Sequence, residues 1–233
     1  MKKLMFLGLL VMGSLSLNSC NELQQVLNNT SQGGNGFNVA SGLKQALELG
    51  GVDLLSKDGG YFKDQAVRIL LPEELQKVDK TLRSIGLGSL ADQGLKVLNE
   101  AAENAVSQAK PIFLSAIQNM TFTDAMNILK GDNTAATTYL KNSTYSALES
   151  AFAPKIQSSL SEVGADKVWE NIINKYNQIP LVKPVEANLT KYVTEQAING
   201  LFVKVGDKEK EIRTNIAART TPLLKSVFAM QDK

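Results

Sequence analysis

The chain has 233 residues, of which 43% are hydrophobic and 21% are charged, and its 25 basic and 23 acidic residues give a formal charge of +2. This length fits one ordinary globular domain, and the near balance of charge argues against a nucleic-acid-binding protein. The chain contains no histidine and one cysteine. It therefore cannot supply a Ser-His-Asp or Cys-His catalytic group, a histidine-containing zinc site or a thiolate cluster.

The first 19 residues have the three parts of a secretory signal peptide. Lys2 and Lys3 precede an apolar stretch over residues 4–17, and small residues follow it before Cys20. A helix over residues 4–17 would be about 21 Å long, which is short for a hydrocarbon core of about 30 Å. We therefore predict a signal peptide over residues 1–19 rather than a membrane-spanning anchor.

The end of this segment resembles the lipobox of bacterial lipoproteins, in which a signal peptidase cuts before a lipidated cysteine. Leu17, Ser19 and Cys20 match that pattern, while Asn18 departs from the small or apolar residue usual there. The alternative is an ordinary signal peptide with an incidental cysteine. The resemblance implies a membrane anchor through acylated Cys20, and Asn21 in place of aspartate implies the outer membrane, facing the periplasm.

Residues 20–40 form a predicted flexible tether, because the run from Asn28 to Gly36 is rich in Asn, Gly and Ser and cannot bury enough apolar surface to become ordered. Cleavage before Cys20 would remove Lys2 and Lys3 and no acidic residue, which leaves 23 basic and 23 acidic residues. The domain predicted over residues 41–233 thus belongs to a formally neutral mature chain.

The domain begins with an apolar helical stripe from Leu43 to Leu54, which Asp58-Gly59-Gly60 interrupts. Residues 66–71 are expected to be extended or irregular, since they lead into Pro72. Pro72 opens the clearest predicted helix, which has acidic residues in its first turn and ends before Gly86.

Three further helices are predicted in the middle of the chain. A small-and-apolar stripe over residues 90–109 would allow another helix to approach closely, and its end is expected near Pro111. A short helix covers residues 113–120. A capping box from Thr121 to Asp124 starts the next helix, which Gly131 ends, and Asn133 is the expected cap of its successor.

The last predicted helices are longer. One runs from Tyr139 toward Val163, with a bend or restart at Pro154 and an end at Gly164, and a stripe that starts at Trp169 follows it. A long helix begins at Leu189. In it, Glu209 and Arg213 form a predicted i,i+4 ion pair on a solvated face.

These elements predict an all-α, single-domain, multi-helix bundle. Two helices share one spacing of residues, which leaves an internal duplication open as a hypothesis; the matching sets are Thr144, Ala147, Leu148 and Phe152, and Thr194, Ala197, Ile198 and Phe202.

The candidate functional side chains are carboxylates and arginines. Glu100 with Glu103, and Asp166 with Glu170, lie at helical spacing and could act as acid and base or hold a cation, but a solvated helix surface is the favoured interpretation, since the sequence supplies no converging third group. Arg68, Arg213 and Arg219 each lie near an apolar run or a proline. An arginine there binds a carboxylate, caps a helix or contacts an anionic ligand or partner.

From about Gly42 to Phe228 the chain resembles a bacterial family known as domain of unknown function 4197. Six segments carry the resemblance in order: Gly42-Leu43-Lys44-Gln45-Ala46-Leu47, Arg68-Ile69-Leu70-Leu71-Pro72-Glu73, Ala109-Lys110-Pro111-Ile112-Phe113-Leu114, Met120-Thr121-Phe122-Thr123-Asp124-Ala125, Lys175-Tyr176-Asn177-Gln178-Ile179-Pro180 and Ala218-Arg219-Thr220-Thr221-Pro222-Leu223-Leu224. The resemblance implies an exported envelope protein with a helical domain, and it assigns no reaction, ligand or cofactor.

The leading hypothesis is a non-enzymatic envelope lipoprotein that binds a protein partner or a lipid-like ligand. A lipid carrier would have an apolar cavity between its helices. The alternative is a hydrolase that uses carboxylates or a Ser-Lys pair without histidine. No cofactor and no metal site are expected.

Overall fold

Helices make up most of the part of the chain that the structure, a computed structural model, describes. Those residues are 41–42, 52–84, 86, 88–162, 164, 166–167, 169–170, 174 and 188–232. Of them, 76% are helical and none lies in a strand, so the predicted all-α class is confirmed. The described residues all belong to one compact unit, Gly36–Lys233. The predicted signal peptide and tether lie outside the described residues, as does the stripe over residues 43–51.

The helices and one turn of 3₁₀ helix follow one another along the chain as α1 (Val52–Leu55), α2 (Glu73–Ser84), α3 (Gly88–Val106), α4 (Ala109–Gln118), α5 (Phe122–Lys130), α6 (Ala135–Glu162), α7 (Leu189–Thr214), the 3₁₀ turn (Ile216–Ala218) and α8 (Pro222–Phe228). Residues 166–167, 169–170 and 174 are also helical. The centre of the domain is the mutual packing of α3, α6 and α7, with α2 against α3 and with α4 and α5 against α6.

Two clusters of buried side chains hold these helices together. The larger one joins α3, α6 and α7 and includes Leu98, Phe152 and Leu201, each at most 1% exposed. The smaller one joins α5, the start of α6, the end of α7 and α8, and its members are Ala125, Ile128, Leu129, Ala136, Ile212, Leu224, Val227 and Phe228. No disulfide within the chain contributes to either cluster, since the sequence contains one cysteine.

Several helix ends occur where local sequence predicts them. Helix α2 begins directly after Pro72 and is followed by Gly86 at φ +82°. Thr121 and Asp124 form the predicted capping box of α5, and Gly131 follows its last residue. Gly164 has φ +66° after the end of α6. Side chains that cap a helix, and glycines that adopt a positive φ, therefore mark the ends of these helices reliably.

Other ends differ from the sequence prediction. Helix α3 ends at Val106, and Pro111 lies inside α4, in the first turn where a missing N–H costs nothing. Asp132 rather than Asn133 accepts from the Thr134 N–H before α6. Helix α6 is continuous through Pro154, so the prediction that the helix restarts there is wrong.

The C-terminal helix α8 is not among the predicted elements. The Thr221 hydroxyl accepts from the Leu224 N–H, and Pro222 occupies the first helical position. This is a standard start signal, and its seven residues are too short to show a helical stripe.

Gly200 allows the segment between α1 and α2 to approach α7 closely. A Cβ atom built on Gly200 would lie 2.7 Å from Tyr61 Cε1 and 3.2 Å from Val67 Cβ. Tyr61 is fully buried and Val67 is also buried, so neither can move into solvent. The backbone of α7 therefore forms part of the surface on which this segment lies.

We expect Gly200→Ala to lower the free energy of unfolding by about 1–3 kcal/mol, because the added methyl group overpacks this contact. Gly206→Ala is the matched control in the same helix, since its Cβ would meet only Thr137 at 3.7 Å. Alanine is the better helix former, so the control should be neutral or up to about 1 kcal/mol more stable. Urea denaturation followed by the fluorescence of Trp169, the one tryptophan, measures both. Equal stabilisation by the two substitutions would contradict the close approach.

Candidate functional site

The segment from Gly59 to Pro72, which we call the clamped segment, lies against α3 and α7 and is held there by buried side chains. The carboxylate of Glu103, on α3, accepts hydrogen bonds from the backbone N–H groups of Gly59 (3.1 Å), Tyr61 (2.9 Å) and Phe62 (3.2 Å). Glu103 is only 5% exposed. A buried carboxylate is tolerated when its oxygens are satisfied in this way, and the contact fixes the first half of the segment.

Asn99 holds the second half of the segment from one turn earlier on α3. Its side-chain oxygen accepts from the Ile69 N–H at 2.8 Å, and its Nδ2 donates to the Ile69 carbonyl at 2.9 Å and to the Leu95 carbonyl at 2.7 Å. Asn99 is fully buried. The side-chain amide thus bonds both the N–H and the carbonyl of Ile69, as the backbone of a neighbouring β-strand would.

Helix α7 holds the same segment from the other side. The hydroxyl of Tyr61 donates to the Ala197 carbonyl at 2.7 Å, and the hydroxyl of Tyr192 donates to the Leu70 carbonyl at 3.0 Å. Burial raises the pKa of Tyr61 far above its ordinary value, and the charge of Glu103 raises it further. Tyr61 therefore remains a neutral donor at any physiological pH.

Arg68 projects from this fixed segment with little to neutralise its charge. Its guanidinium carbon lies 4.4 Å from the centre of the Phe62 ring, so one face of the group is stacked. Its Nε is buried and has no hydrogen-bond partner, and within the described part of the chain no carboxylate lies within 4.0 Å of its nitrogens. Arg68 does lower the pKa of Asp92, but the hydrogen bond from Arg83 has the larger effect on that carboxyl.

Arg68 lines an open groove of about 500 Å³, beside which the exposed side chain of Leu70 stands. The other lining residues come from the end of the clamped segment, from α2 and from α7; they are Leu71, Pro72, Glu73, Gln76, Tyr192 and Gln196. This volume is within the range of small-molecule sites. The groove combines one cation, one carboxylate, two amides and an apolar wall.

Arg213 is buried in the structure of the domain and is not available to a ligand. It pairs with Glu209 at 2.8 Å and donates to the carbonyl groups of Ile128 and Leu129 at the end of α5. The predicted i,i+4 pair is confirmed, but the predicted solvated face is wrong, since the two side chains are 0% and 3% exposed. Glu209 also accepts from two N–H groups at the start of α6, those of Ala136 and Thr137.

Arg219 is likewise occupied by protein groups. It donates to the carbonyls of Ile212 and Arg213 and forms an ion pair with Asp232. Arg213 and Arg219 both contact the Phe228 ring, at 5.7 Å and 5.8 Å from its centre. These two arginines therefore cap helix ends and pair with carboxylates, which is the structural role that the sequence analysis left open.

The carboxylates of the two predicted pairs have separate surroundings in the structure. Glu100 pairs with Lys96 at 3.2 Å near the surface, whereas Glu103 is buried against backbone N–H groups. The solvated-surface interpretation is thus wrong for Glu103, which is a structural clamp. Asp166 accepts from the Ser161 hydroxyl and the Lys167 N–H, and Glu170 is exposed.

In the described ranges, no three potential ligands among His, Cys, Asp and Glu lie close enough together to hold a metal ion. The helices of that part of the chain include none with the length and apolar character needed to cross a membrane. Cys20 lies outside the described residues.

Sequence reasoning missed Asn99 and Tyr192 as elements of the site. A signal for Asn99 and Glu103 was present, because both interrupt a stripe of small and apolar residues on α3 where a polar side chain must find a buried partner. Tyr192 carries no such signal, since an aromatic residue at helical spacing is explained by the core.

The chain matches a known protein family over most of its length. A family model described as "Protein of unknown function (DUF4197)" matches residues 35–229. No curated protein and no solved structure matches the chain.

We expect Asn99→Asp to lower the free energy of unfolding by about 3 kcal/mol or more, because a buried carboxylate would face the Ile69 and Leu95 carbonyls and could donate to neither. The matched control is Asn104→Asp on the exposed side of the same helix, which should change stability by no more than about 0.5 kcal/mol. Urea denaturation measures both. A loss at Asn99 no larger than that at Asn104 would contradict the clamp.

Proposed function

Because the chain belongs to the DUF4197 family, whose function is unknown, we propose from its own residues that it is a non-enzymatic binding module of the bacterial cell envelope. Its anchor is Cys20, which is lipidated and becomes the N-terminal residue when residues 1–19 are cleaved off. Support comes from the three-part signal peptide, from the lipobox match and from the position of the single cysteine at the cleavage point.

The proposed location is the outer membrane, facing the periplasm. Asn21 stands where an aspartate would favour retention at the inner membrane, and no acidic cluster follows Cys20. Residues 20–40 act as the tether that separates the domain from the lipid surface, since their composition favours a flexible chain.

The binding surface of the module is the groove at Arg68. One observation carries this assignment: an arginine that meets no acceptor among the described residues stands at the edge of an open groove, on a segment that Glu103, Asn99 and Tyr192 hold in place. Rigid support of an unsatisfied polar group is the arrangement expected of a recognition site.

The open groove favours a ligand or partner that binds at the surface over a lipid carried inside the bundle. The large buried side chains of α3, α6 and α7 pack against one another in the larger cluster. A hydrolase gains no support from the groove, since its lining includes the single carboxylate of Glu73 and no serine or lysine.

We expect Cys20→Ala to abolish both the acylation and the cleavage of the N-terminus, because the lipobox peptidase cuts before a lipidated cysteine. Intact mass spectrometry should show acyl groups on an N-terminal Cys20 in the wild type, and an unmodified N-terminus that retains residues 1–19 in the variant. An unmodified wild-type N-terminus, or cleavage of the variant at the same bond, would rule out the lipid anchor.

A photo-crosslinking amino acid at Leu70 should give a discrete crosslinked product in intact cells, because this exposed side chain borders the groove. The matched control is the same amino acid at Val203, which is also apolar and exposed (44% against 56% for Leu70) but is not among the residues that line the groove. Gel mobility and mass spectrometry identify the product. The same products at both positions, or none at Leu70, would contradict a binding surface at the groove.

A further inference from the structure

The guanidinium of Arg68 is held in place, but no described residue forms an ion pair or a side-chain hydrogen bond with it. Stacking on Phe62 occupies the face of the guanidinium and leaves its N–H donors in the plane of the group. Arg83, by contrast, pairs with Asp79 and Asp92, and Arg213 and Arg219 have carboxylate and carbonyl partners. Arg68 thus differs from these three in meeting neither kind of acceptor among the described residues.

The groove around Arg68 has the chemistry to hold an organic anion. A guanidinium matches the two oxygens of a carboxylate or phosphate group in its plane. Gln76 and Gln196 add amide groups at the lining, and Leu71 and Pro72 add apolar surface. The volume of about 500 Å³ is larger than a single inorganic ion requires.

The other charged residue of the groove limits the number of anionic groups on the ligand. Glu73 also lines it and does not pair with Arg68, so a second negative group on the ligand would meet a carboxylate. Like charges at short range are unfavourable in a partly desolvated site. A ligand with one oxyanion and an apolar portion therefore fits better than a polyanion.

The groove lies far along α7 from Gly42, which belongs to the first part of the domain that the structure describes. A Cβ atom built on Gly42 would lie 2.8 Å from Val227 Cγ2, which places Gly42 beside α8 and the smaller cluster. That cluster contacts the end of α7, whereas Gln196 of the groove lies in its first half. The rise along α7 from Gln196 to Arg213 is about 26 Å. Gly42 and the groove are thus near different ends of α7.

We propose that this groove binds a soluble organic oxyanion, a carboxylate or a phosphate monoester with an apolar portion, through the guanidinium of Arg68. The proposal rests on the proposed function in that it names the ligand class of the same surface. Its source is the aqueous compartment rather than the lipid headgroups of the anchoring membrane, because the groove is open to solvent and lies about 26 Å along α7 from the helix end beside Gly42.

Isothermal titration of the full-length chain in phosphatidylcholine nanodiscs tests the proposal, with hexyl phosphate, hexanoate and hexanol as probes. We expect saturable binding of at least one of the two anions and none of hexanol, because only the anions can pair with a guanidinium. Arg68→Gln should raise the dissociation constant at least tenfold. Lys96→Gln is the matched control, since it removes one exposed cation outside the groove, and should change the constant less than twofold.

Leu70→Glu is the second variant and keeps the test decisive if Arg68→Gln does not fold. It changes an exposed side chain of the groove and should also weaken anion binding at least tenfold, by repulsion. The thermal unfolding of each variant, followed by Trp169 fluorescence, identifies those that are folded.

Three results would overturn the proposal. The first is no binding of either anion, the second is equal binding by wild type and Arg68→Gln, and the third is binding only to nanodiscs that contain phosphatidylglycerol, which would make a membrane headgroup the ligand. None of these affects the crosslinking result at Leu70. A specific crosslink without anion binding would retain the binding module and reject the ligand class.

Discussion

Where a helix starts or a connecting segment is buried, backbone N–H groups lack partners from a helix or a sheet, and in the described part of this domain two buried glutamates satisfy such groups. Glu103 accepts three N–H groups of the clamped segment, and Glu209 accepts two at the start of α6. Each glutamate belongs to a helix distant in sequence from the groups that it satisfies. Both contacts therefore fix tertiary arrangement as well as local structure, and the loss of either would leave several buried donors unsatisfied at once.

Glu209, the α7 residue that accepts from the start of α6, also organises the C-terminal part of the domain. Glu209 pairs with Arg213, which donates to the end of α5, and Arg219 joins the backbone of α7 to Asp232. The smaller apolar cluster packs beside these contacts, with Phe228 against both guanidinium groups. Ion pairs in a core contribute little net stability compared with apolar packing, but they permit few alternative arrangements of the helix ends.

The glutamate on α3 has a different consequence, because it supports a surface rather than another part of the core. With Asn99 it holds an irregular segment close to α3, and Gly200 gives the same segment access to the backbone of α7. Arg68 stands on that segment. Its guanidinium is thus held in position without help from the partners that usually neutralise such a group, and a ligand would find the site already formed, at a low cost in conformational entropy.

Local sequence was enough to predict the all-α class, the capping box of α5, the start of α2 and the extent of α7, since each depends on neighbouring residues along the chain. It also predicted the signal peptide and Cys20, which lie outside the described residues. The roles of the charged residues emerge only from tertiary packing. Glu103, Glu209 and Arg213 have the spacing of surface charges, and their burial depends on segments about 40 to 85 residues away. The different surroundings of Arg68, Arg213 and Arg219 have the same cause. The packing of helices distant in sequence determines which acceptors a guanidinium contacts, and a local sequence pattern cannot predict that packing.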